Sequence, residues 1–368
     1  MTDSDVLFLD AAIELARNGL YSTTPNPRVG CVLTRDGTII GRGWHRRAGG
    51  PHAEAAALAD VKARSPSQSL EGATCFVSLE PCSHHGRTPP CADALIAAGV
   101  ERVVMASHDP NPHVAGQGIE RMRSAGIRVD LIERSAALEL NKGFFRRFTM
   151  QKPWVRVKVA ASLDGRAATA SGESQWITGI DARADGQYWR ARSCAIVTGV
   201  GTVLADDPQL TVREPQYAVD GNLRQPLRVI VDSTLRTPAS AKLFQTPGPV
   251  LLVALPGADG ARVSKNTGVE VLTHDGPRID IAALLTQLAA RGINEVLIEA
   301  GPRLTGEVFR LGLWDEAIVY VAPKLLGRDA RPFADLSVDR LSGAITGRIA
   351  DVRQVGEDMR VRILRIPS

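Results

Sequence analysis

Two α/β domains in tandem are what this sequence predicts, and three observations carry the prediction. The chain has 368 residues, roughly twice what a single hydrophobic core organises. Apolar, strand-like runs alternate with helical periodicities along its length, the pattern of sheets covered by helices. The alternation restarts after one break. "ELNKGFFRRFTM" reads as a helix, and the Lys152-Pro153 step ends it before a strongly apolar run. The boundary falls near 146–151 and is set to give domains 1–148 and 149–368.

The first domain opens on "SDVLFLDAAIELARNG", which is helical in period. "VGCVLTRDGTIIGRGW" reads as a hairpin turning at Asp36-Gly37, and "HAEAAALADVKA" as a helix. A strand "GATCFVSLE", a helix "CADALIAAG", a strand "ERVVMAS", a helix near 116–125 and a strand "RVDLIE" follow. The second domain begins with the strand in "KPWVRVKVAAS" and continues with "CAIVTGVGTVLAD", "LRVIVDS" and "VLLVA". A helix over 280–291, the strand "EVLIEAG", a helix over 303–311 and the strand "EAIVYVAP" come next. "ADVRQVGEDMRVRILR" closes the chain as a hairpin with its turn near Gly356.

Composition excludes several classes. With 44% hydrophobic and 23% charged residues the chain is globular rather than disordered. A net charge of +4 with no dense Lys/Arg run argues against a nucleic-acid partner, while small anionic substrates fit. The acidic start "MTDSD" lacks the basic region of a signal peptide, and no apolar run reaches the roughly eighteen residues of a membrane span. Five cysteines, at 31, 75, 82, 91 and 194, are too few and odd in number for a disulfide framework. A reducing cytoplasm is the expected location.

Chemistry concentrates first in "GGPHAEAAAL" and "SLEPCSHHGRTPPCADAL". His52, Cys82 and Cys91 supply the nitrogen and two sulfurs of a catalytic zinc site, which takes three protein ligands and keeps one position for water. Glu54 stands beside them as a non-ligand able to move protons, the His-x-Glu and Pro-Cys…Cys signature of zinc nucleobase deaminases. His52 and Glu54 open one helix and Cys91 another, where a helix N-terminus favours a thiolate. His84 and His85 are further nitrogen donors between the cysteines. The three-ligand set is preferred because helix-anchored side chains hold geometry better than a loop histidine. Cys31, Cys75 and Cys194 lie in apolar runs and read as core.

The second domain holds no metal set and no nucleophile beside a base. "VTGVGTVLADDPQLTVR" and "LIEAGPRLTGEVF" each pass from an apolar strand through glycine into a helix, where backbone amides can face a phosphate. Neither is G-x-G-x-x-G, so a Rossmann domain is not expected.

Eight residues separate Cys82 from Cys91 where the common deaminase pattern has two. Together with "TPNPRVGCV" and "GWHRRAGGPHAEAAAL", the stretch "EPCSHHGRTPPC" resembles the deaminase half of the bifunctional riboflavin-biosynthesis enzymes, whose motif reads EPCSHxGxTPPC. "KVAASLDGRAATASGESQWIT" and the two glycine turns resemble the reductase half, so the likeness covers nearly the whole chain. It implies a cytidine-deaminase-like three-layer domain followed by a dihydrofolate-reductase-like α/β domain. The implied substrate is a diaminopyrimidinone bearing a ribosylamino 5′-phosphate, deaminated with zinc and then reduced with NADPH at the ribose. By the same resemblance Asn26, His45 and Arg87 contact the pyrimidine substrate, Arg87 facing its phosphate. The cofactor would meet Ala160, Trp176, Thr202, Asp206, Ser233 and the turn Gly301, Pro302, Arg303, Leu304, Thr305, Gly306 and Glu307. Lys158, Ser174, Arg190, Leu210, Arg213 and Glu299 would meet the substrate of the reduction. Lys158 matches a conspicuous lysine of the family and orients the sugar; Arg190 and Arg213 suit its phosphate. A homo-oligomer is expected.

Two other readings compete. A nucleic-acid deaminase shares the zinc chemistry but needs a charged path for a backbone, which this chain lacks. A structural zinc module needs a fourth ligand from His84 or His85 and leaves Glu54 without a role.

Overall fold

The computed structural model describes residues 2–83, 89–112, 114–260 and 268–366. They form two compact units, Met1–Gln151 and Lys152–Ser368, each considered by itself.

The first unit starts with α1 (Asp3–Arg17), whose N-terminus is closed by a reciprocal cap. Thr2 Oγ1 accepts from the Asp5 amide at 3.2 Å, and the Asp5 carboxylate accepts from the Thr2 amide at 2.9 Å. β1 (Gly30–Arg35) and β2 (Thr38–Trp44) make the hairpin read from sequence. Then come α2 (Ala53–Arg64), β3 (Thr74–Val77), α3 (Cys91–Ala97), β4 (Arg102–Met105), α4 (Gln117–Ser124) and β5 (Arg128–Leu131). The sheet order is β2-β1-β3-β4-β5, with β3, β4 and β5 parallel and β1 antiparallel to both its neighbours.

Alternating side chains sort this unit into three layers. Cys31, Leu33, Cys75, Val77, Val103 and Met105 pack on one face with residues of α2, α3 and α4. Val32, Phe76 and Val104 pack on the other with Leu9, Ala12 and Ile13 of α1. Gly43 lets α2 lie directly on β2: a Cβ there would sit 2.3 Å from the Ala53 carbonyl oxygen and from the Ala57 nitrogen. That contact fixes where α2 begins, and α2 begins at the predicted chemistry.

The expected single helix over "ELNKGFFRRFTM" is instead the end of α5 (Ser135–Leu140) and all of α6 (Lys142–Met150), broken at Asn141. Asn141 is buried; its Oδ1 accepts from the Arg28 amide and its Nδ2 donates to the Arg28 carbonyl, both at 2.8 Å. Two tertiary hydrogen bonds outcompete helix continuation there.

The second unit is built on β6 (Trp154–Ser162), β7 (Arg166–Ala168), α7 (Ile180–Arg192), β8 (Ala195–Gly199), α8 (Val200–Asp206) and β9 (Leu227–Val231). It continues with β10 (Val250–Ala254), β11 (Val269–Thr273), α9 (Ile281–Ala290), β12 (Glu295–Ile298), α10 (Pro302–Arg310) and β13 (Glu316–Ala322). β14 (Arg331–Pro332) pairs with β7, and β15 (Gly347–Val355) with β16 (Asp358–Arg365) forms the closing hairpin. The main sheet runs β11-β10-β9-β8-β12-β6-β13-β16-β15, parallel from β11 to β13 and antiparallel in its last two pairings.

Strands covered on both faces read as continuous apolar runs, which is why "VLLVA" and "EVLI" were legible. Val155, Val157, Val159 and Val296 pack against α9 and α10, while Ile196, Ile230, Leu252 and Tyr320 pack toward α7. The α7 side also holds charge. Arg156, 0% exposed, hydrogen-bonds Glu295 and donates to Glu316 at 2.9 Å, and Arg362 reaches Glu316 at 2.6 Å. Charges this deep persist only when paired and hydrogen-bonded.

Candidate active sites

In the first unit the fold brings three sequence-distant donors together. His52 caps α2, Cys91 is the first residue of α3, and Cys82 lies in the segment after β3. His52 Nδ1 is 3.5 Å from Cys82 Sγ and 3.3 Å from Cys91 Sγ, and the three donor atoms lie within 4.8 Å of one another. A tetrahedral zinc with ordinary Zn–N and Zn–S lengths needs N···S separations of about 3.6 Å, so the residues fit that ion. One nitrogen and two thiolates are also a donor set suited to zinc.

The thiols share protons. The Cys91 amide lies 3.4 Å from Cys82 Sγ. Hydrogen bonding from Cys91, with help from His52, holds Cys82 down to about 4, and the same bond raises Cys91. The bond to Cys82 raises His52. Glu54, only 3% exposed, is pushed up to about 7 by burial, so it can carry or release a proton near neutral pH.

Two of the expected substrate residues stand beside this cluster. Asn26 Nδ2 lies 3.0 Å from His45 Nε2, and His45 Nδ1 donates to the Pro51 carbonyl at 2.9 Å. These contacts set the tautomer: Nδ1 carries the hydrogen and Nε2 accepts from Asn26. Burial lowers the His45 pKa, which keeps the ring neutral, and the ring meets His52 edge-on at 5.2 Å. Arg87, His84 and His85 lie outside the described residues. Arg28, in "TPNPRVGCV", is buried with Nη1 on the Leu140 carbonyl at 3.0 Å. It ties loops together. Cys31, Cys75 and Cys194 are core, as expected.

Sequence reading missed Glu80. Its buried carboxylate accepts from the Gly116 amide at 2.8 Å and the Asp109 amide at 3.3 Å, and contacts His108 Nδ1 at 3.4 Å. It ties His108, Asp109 and Gly116 to the segment that carries Cys82. Its place two residues before Cys82 was the available signal.

In the second unit the residues gather at strand ends and helix starts. Glu299 follows β12 and grips Arg190 of α7 in a bidentate pair, at 2.6 and 2.9 Å. Arg190 Nη1 also donates to the Thr211 carbonyl at 3.2 Å. Burial pushes the Glu299 carboxyl up, but Arg190, Lys158 and Arg213 outweigh it and hold the group at about 2. Burial lowers the pKa of Lys158. With the Arg190 fork closed on Glu299, the exposed Arg213 is the better-placed cation for a phosphate. Leu210 buries its side chain in the core, so it offers a ligand backbone only.

Around the expected cofactor residues, Gly301 is the N-cap of α10 and its amide donates to Thr202 Oγ1 at 3.0 Å, joining two of the glycine turns. Ser174 Oγ donates to Asp206 Oδ1 at 2.7 Å, so Asp206 holds the segment before Trp176. Trp176 is 62% exposed with the Arg183 guanidinium 4.6 Å from its ring centroid, an open flat face and no core aromatic. Ala160 is half-buried on β6, and Ser233 follows β9, its carbonyl accepting from the Leu255 amide at 3.0 Å. Pro302, Arg303 and Leu304 keep surface at the start of α10. Thr305 and Gly306 point inward, and a Cβ on Gly306 would meet the Asp335 carbonyl oxygen at 2.2 Å. Glu307 pairs with Arg310 at 2.7 Å. Among the described residues, no helix is long and apolar enough to cross a membrane.

Comparison with known proteins agrees with both halves. Residues 2–107 match the model of the cytidine and deoxycytidylate deaminase zinc-binding region, and residues 153–361 match that of the RibD C-terminal domain. The riboflavin biosynthesis protein RibD of Escherichia coli (strain K12) is 46% identical over 369 residues, covering 98% of this chain and 99% of its own. The RibD protein of Haemophilus influenzae is 43% identical, covering 98% of this chain and 97% of its own. Acinetobacter baumannii RibD superposes with a TM-score of 0.92 at 43% identity over 99% of both chains. A deaminase/reductase from Thermotoga maritima superposes with a TM-score of 0.87 at 32% identity, again over 99% of both. Two domain matches in this order, on a chain that follows these relatives from end to end, decide the family: the chain belongs to the bifunctional riboflavin-biosynthesis deaminase/reductase family.

Proposed function

We propose that the two units act in turn on one molecule, 2,5-diamino-6-ribosylamino-4(3H)-pyrimidinone 5′-phosphate. The first hydrolyses its ring amine and the second reduces its ribosyl group, giving 5-amino-6-ribitylaminouracil 5′-phosphate. The observation that carries the reading is the His52, Cys82 and Cys91 cluster beside buried Glu54.

His52, Cys82 and Cys91 would hold zinc, which when bound supplies the Lewis acidity that makes water nucleophilic at neutral pH. Asn26 orients the pyrimidine through its amide, which His45 holds in place beside the ring it meets, and Arg87 binds its phosphate. Glu54 takes a proton from the attacking water and delivers it to the departing amine, a transfer suited to a carboxyl buried beside the donor cluster.

In the second unit NADPH is the proposed cofactor and supplies the hydride when bound. The exposed face of Trp176, the start of α10 from Gly301 and the groups Ala160, Thr202, Asp206 and Ser233 would hold it. Lys158 orients the sugar, Glu299 fixes Arg190 beside it, Arg213 takes the phosphate, and Ser174 with the Leu210 backbone completes the wall. Positioning of donor carbon against acceptor carbon is the main requirement of such a step. We further read the protein as a cytoplasmic homo-oligomer, to be checked by cell fractionation and sedimentation velocity.

The direct test follows product mass with the purified protein and this substrate. Amine-for-oxygen exchange without cofactor, and a two-hydrogen gain only once NADPH is added, is the expected result. A gain equally fast with NADH overturns the cofactor assignment, and no exchange by zinc-loaded protein overturns the substrate.

A further inference from the structure

We propose that Tyr320 is a positioning residue for Lys158: its ring forms a fixed floor that decides where the lysine ammonium stands in the reductase site. The inference rests on the reading of Lys158 as the sugar-orienting residue.

β6 and β13 run parallel, with Lys158 opposite Ile318 and Ala160 opposite Tyr320. Lys158 and Tyr320 are therefore diagonal neighbours on one face of the sheet, within reach of long side chains. The ammonium nitrogen lies 5.7 Å from the ring centroid, close enough for the negative face of the ring to attract it.

What makes this pair more than packing is how firmly the ring is held. Tyr320 is 0% exposed. Its hydroxyl donates to Asp185 Oδ2 at 2.5 Å and accepts from Trp189 Nε1 at 3.0 Å. Asp185 is gripped by Arg360 Nη1, at 2.9 and 2.8 Å from its two oxygens, and Arg360 Nη2 reaches Asp351 at 3.1 Å. α7 thus fixes the phenol by two hydrogen bonds, the closing hairpin braces one of those partners, and the ring face turns toward Lys158.

The charged groups acting on the lysine are Glu299, after β12, which favours its charged form, and Arg190, from α7, which opposes it. Those two charges set the local field but do not localise a flexible four-carbon side chain. A rigid aromatic floor does.

The test reads Lys158 itself. In the full-length protein labelled with ¹³C at lysine Cε, the Lys158 signal is assigned by its loss in Lys158→Arg. Tyr320→Phe keeps the ring but frees it from Asp185 and Trp189, and is expected to shift the Lys158 titration less than the ringless variants do. Tyr320→Leu removes the ring and lowers the titration midpoint by about 0.5 to 1.5 pH units, the size of a lost cation–π contact. It also lowers reductase kcat about tenfold with little change in the cofactor KM. Tyr320→Met, similar in bulk but without a ring, is measured alongside, so that a misfolded leucine variant does not end the test.

An unchanged Lys158 titration in a folded ringless variant overturns the proposal, whatever happens to activity. A shifted titration together with full reductase turnover in Lys158→Arg upholds the pairing and overturns the role assigned to Lys158.

Discussion

The two sites differ in how the chain assembles them. In the first unit the three donors come from residues 52–91 and meet within 4.8 Å, at the starts of two helices and on one loop, with buried Glu54 in the first turn of α2. In the second, contacts spread from Lys158 to Glu307, and the groups that matter fix one another: Glu299 holds Arg190, Thr202 holds Gly301, Asp206 holds Ser174. The difference follows from the chemistry. A metal ion demands specific donor atoms at fixed separations, so few residues carry the whole site. Hydride transfer demands placement, which many weak contacts share.

The sharpest test of that contrast is Glu54→Gln. It should reduce deamination by about 10²- to 10⁴-fold, the usual share of a proton-transfer group. Zinc content should stay at wild type and reduction of separately supplied deaminated substrate should be unaffected. Loss of zinc by elemental analysis would show that Glu54 is part of the metal's support, and the contrast between the sites would weaken.

Glu299→Gln should be graded rather than absolute, because neighbours still define the site: about a tenfold fall in reductase kcat/KM, with deamination intact. The same variant has a signature in stability. Glu299 ordinarily titrates at 4.5 and is held at about 2, so its charged pair stabilises the fold above pH 4.5 and that contribution is lost as pH falls toward 2. The full contribution is about 3 kcal/mol. Acid unfolding of Glu299→Gln should lack that component, and identical curves for variant and wild type would contradict the pairing.

Gly43→Ala is the mildest. A methyl group at 2.3 Å from the backbone of α2 must push the helix start, at about 1 to 3 kcal/mol of strain. It should weaken zinc retention and deamination several-fold while reduction of supplied intermediate continues. Unchanged zinc affinity would mean that α2 moves without carrying His52.

Legibility followed the same division. His52, Glu54, Cys82 and Cys91 could be named from spacing because their residue types are rare and their chemistry specific. Glu80 stood in the same motif, yet its partners are backbone amides of 109 and 116, which no side-chain pattern announces. α7 escaped prediction entirely. Its buried side carries Gln187, Trp189 and Arg192, held by buried charges and hydrogen bonds rather than by an apolar stripe. A helix packed on buried charge has no periodicity to read. Nothing local announces the burial of Arg28, because it donates to the carbonyl of Leu140, 112 residues away.

The sequence by itself determined the apolar strands of both sheets and the donor set that gathers at His52, since strand periodicity and residue chemistry are local properties. The tertiary structure alone decided which cations are free. Arg190 is spent on Glu299, Arg28 on a loop and Arg213 left exposed, because a charge is neutralised by whatever the fold brings within a few ångströms of it. It alone also made Tyr320 the floor beneath Lys158, a relation between two strands that are adjacent in the sheet and about 160 residues apart in the chain.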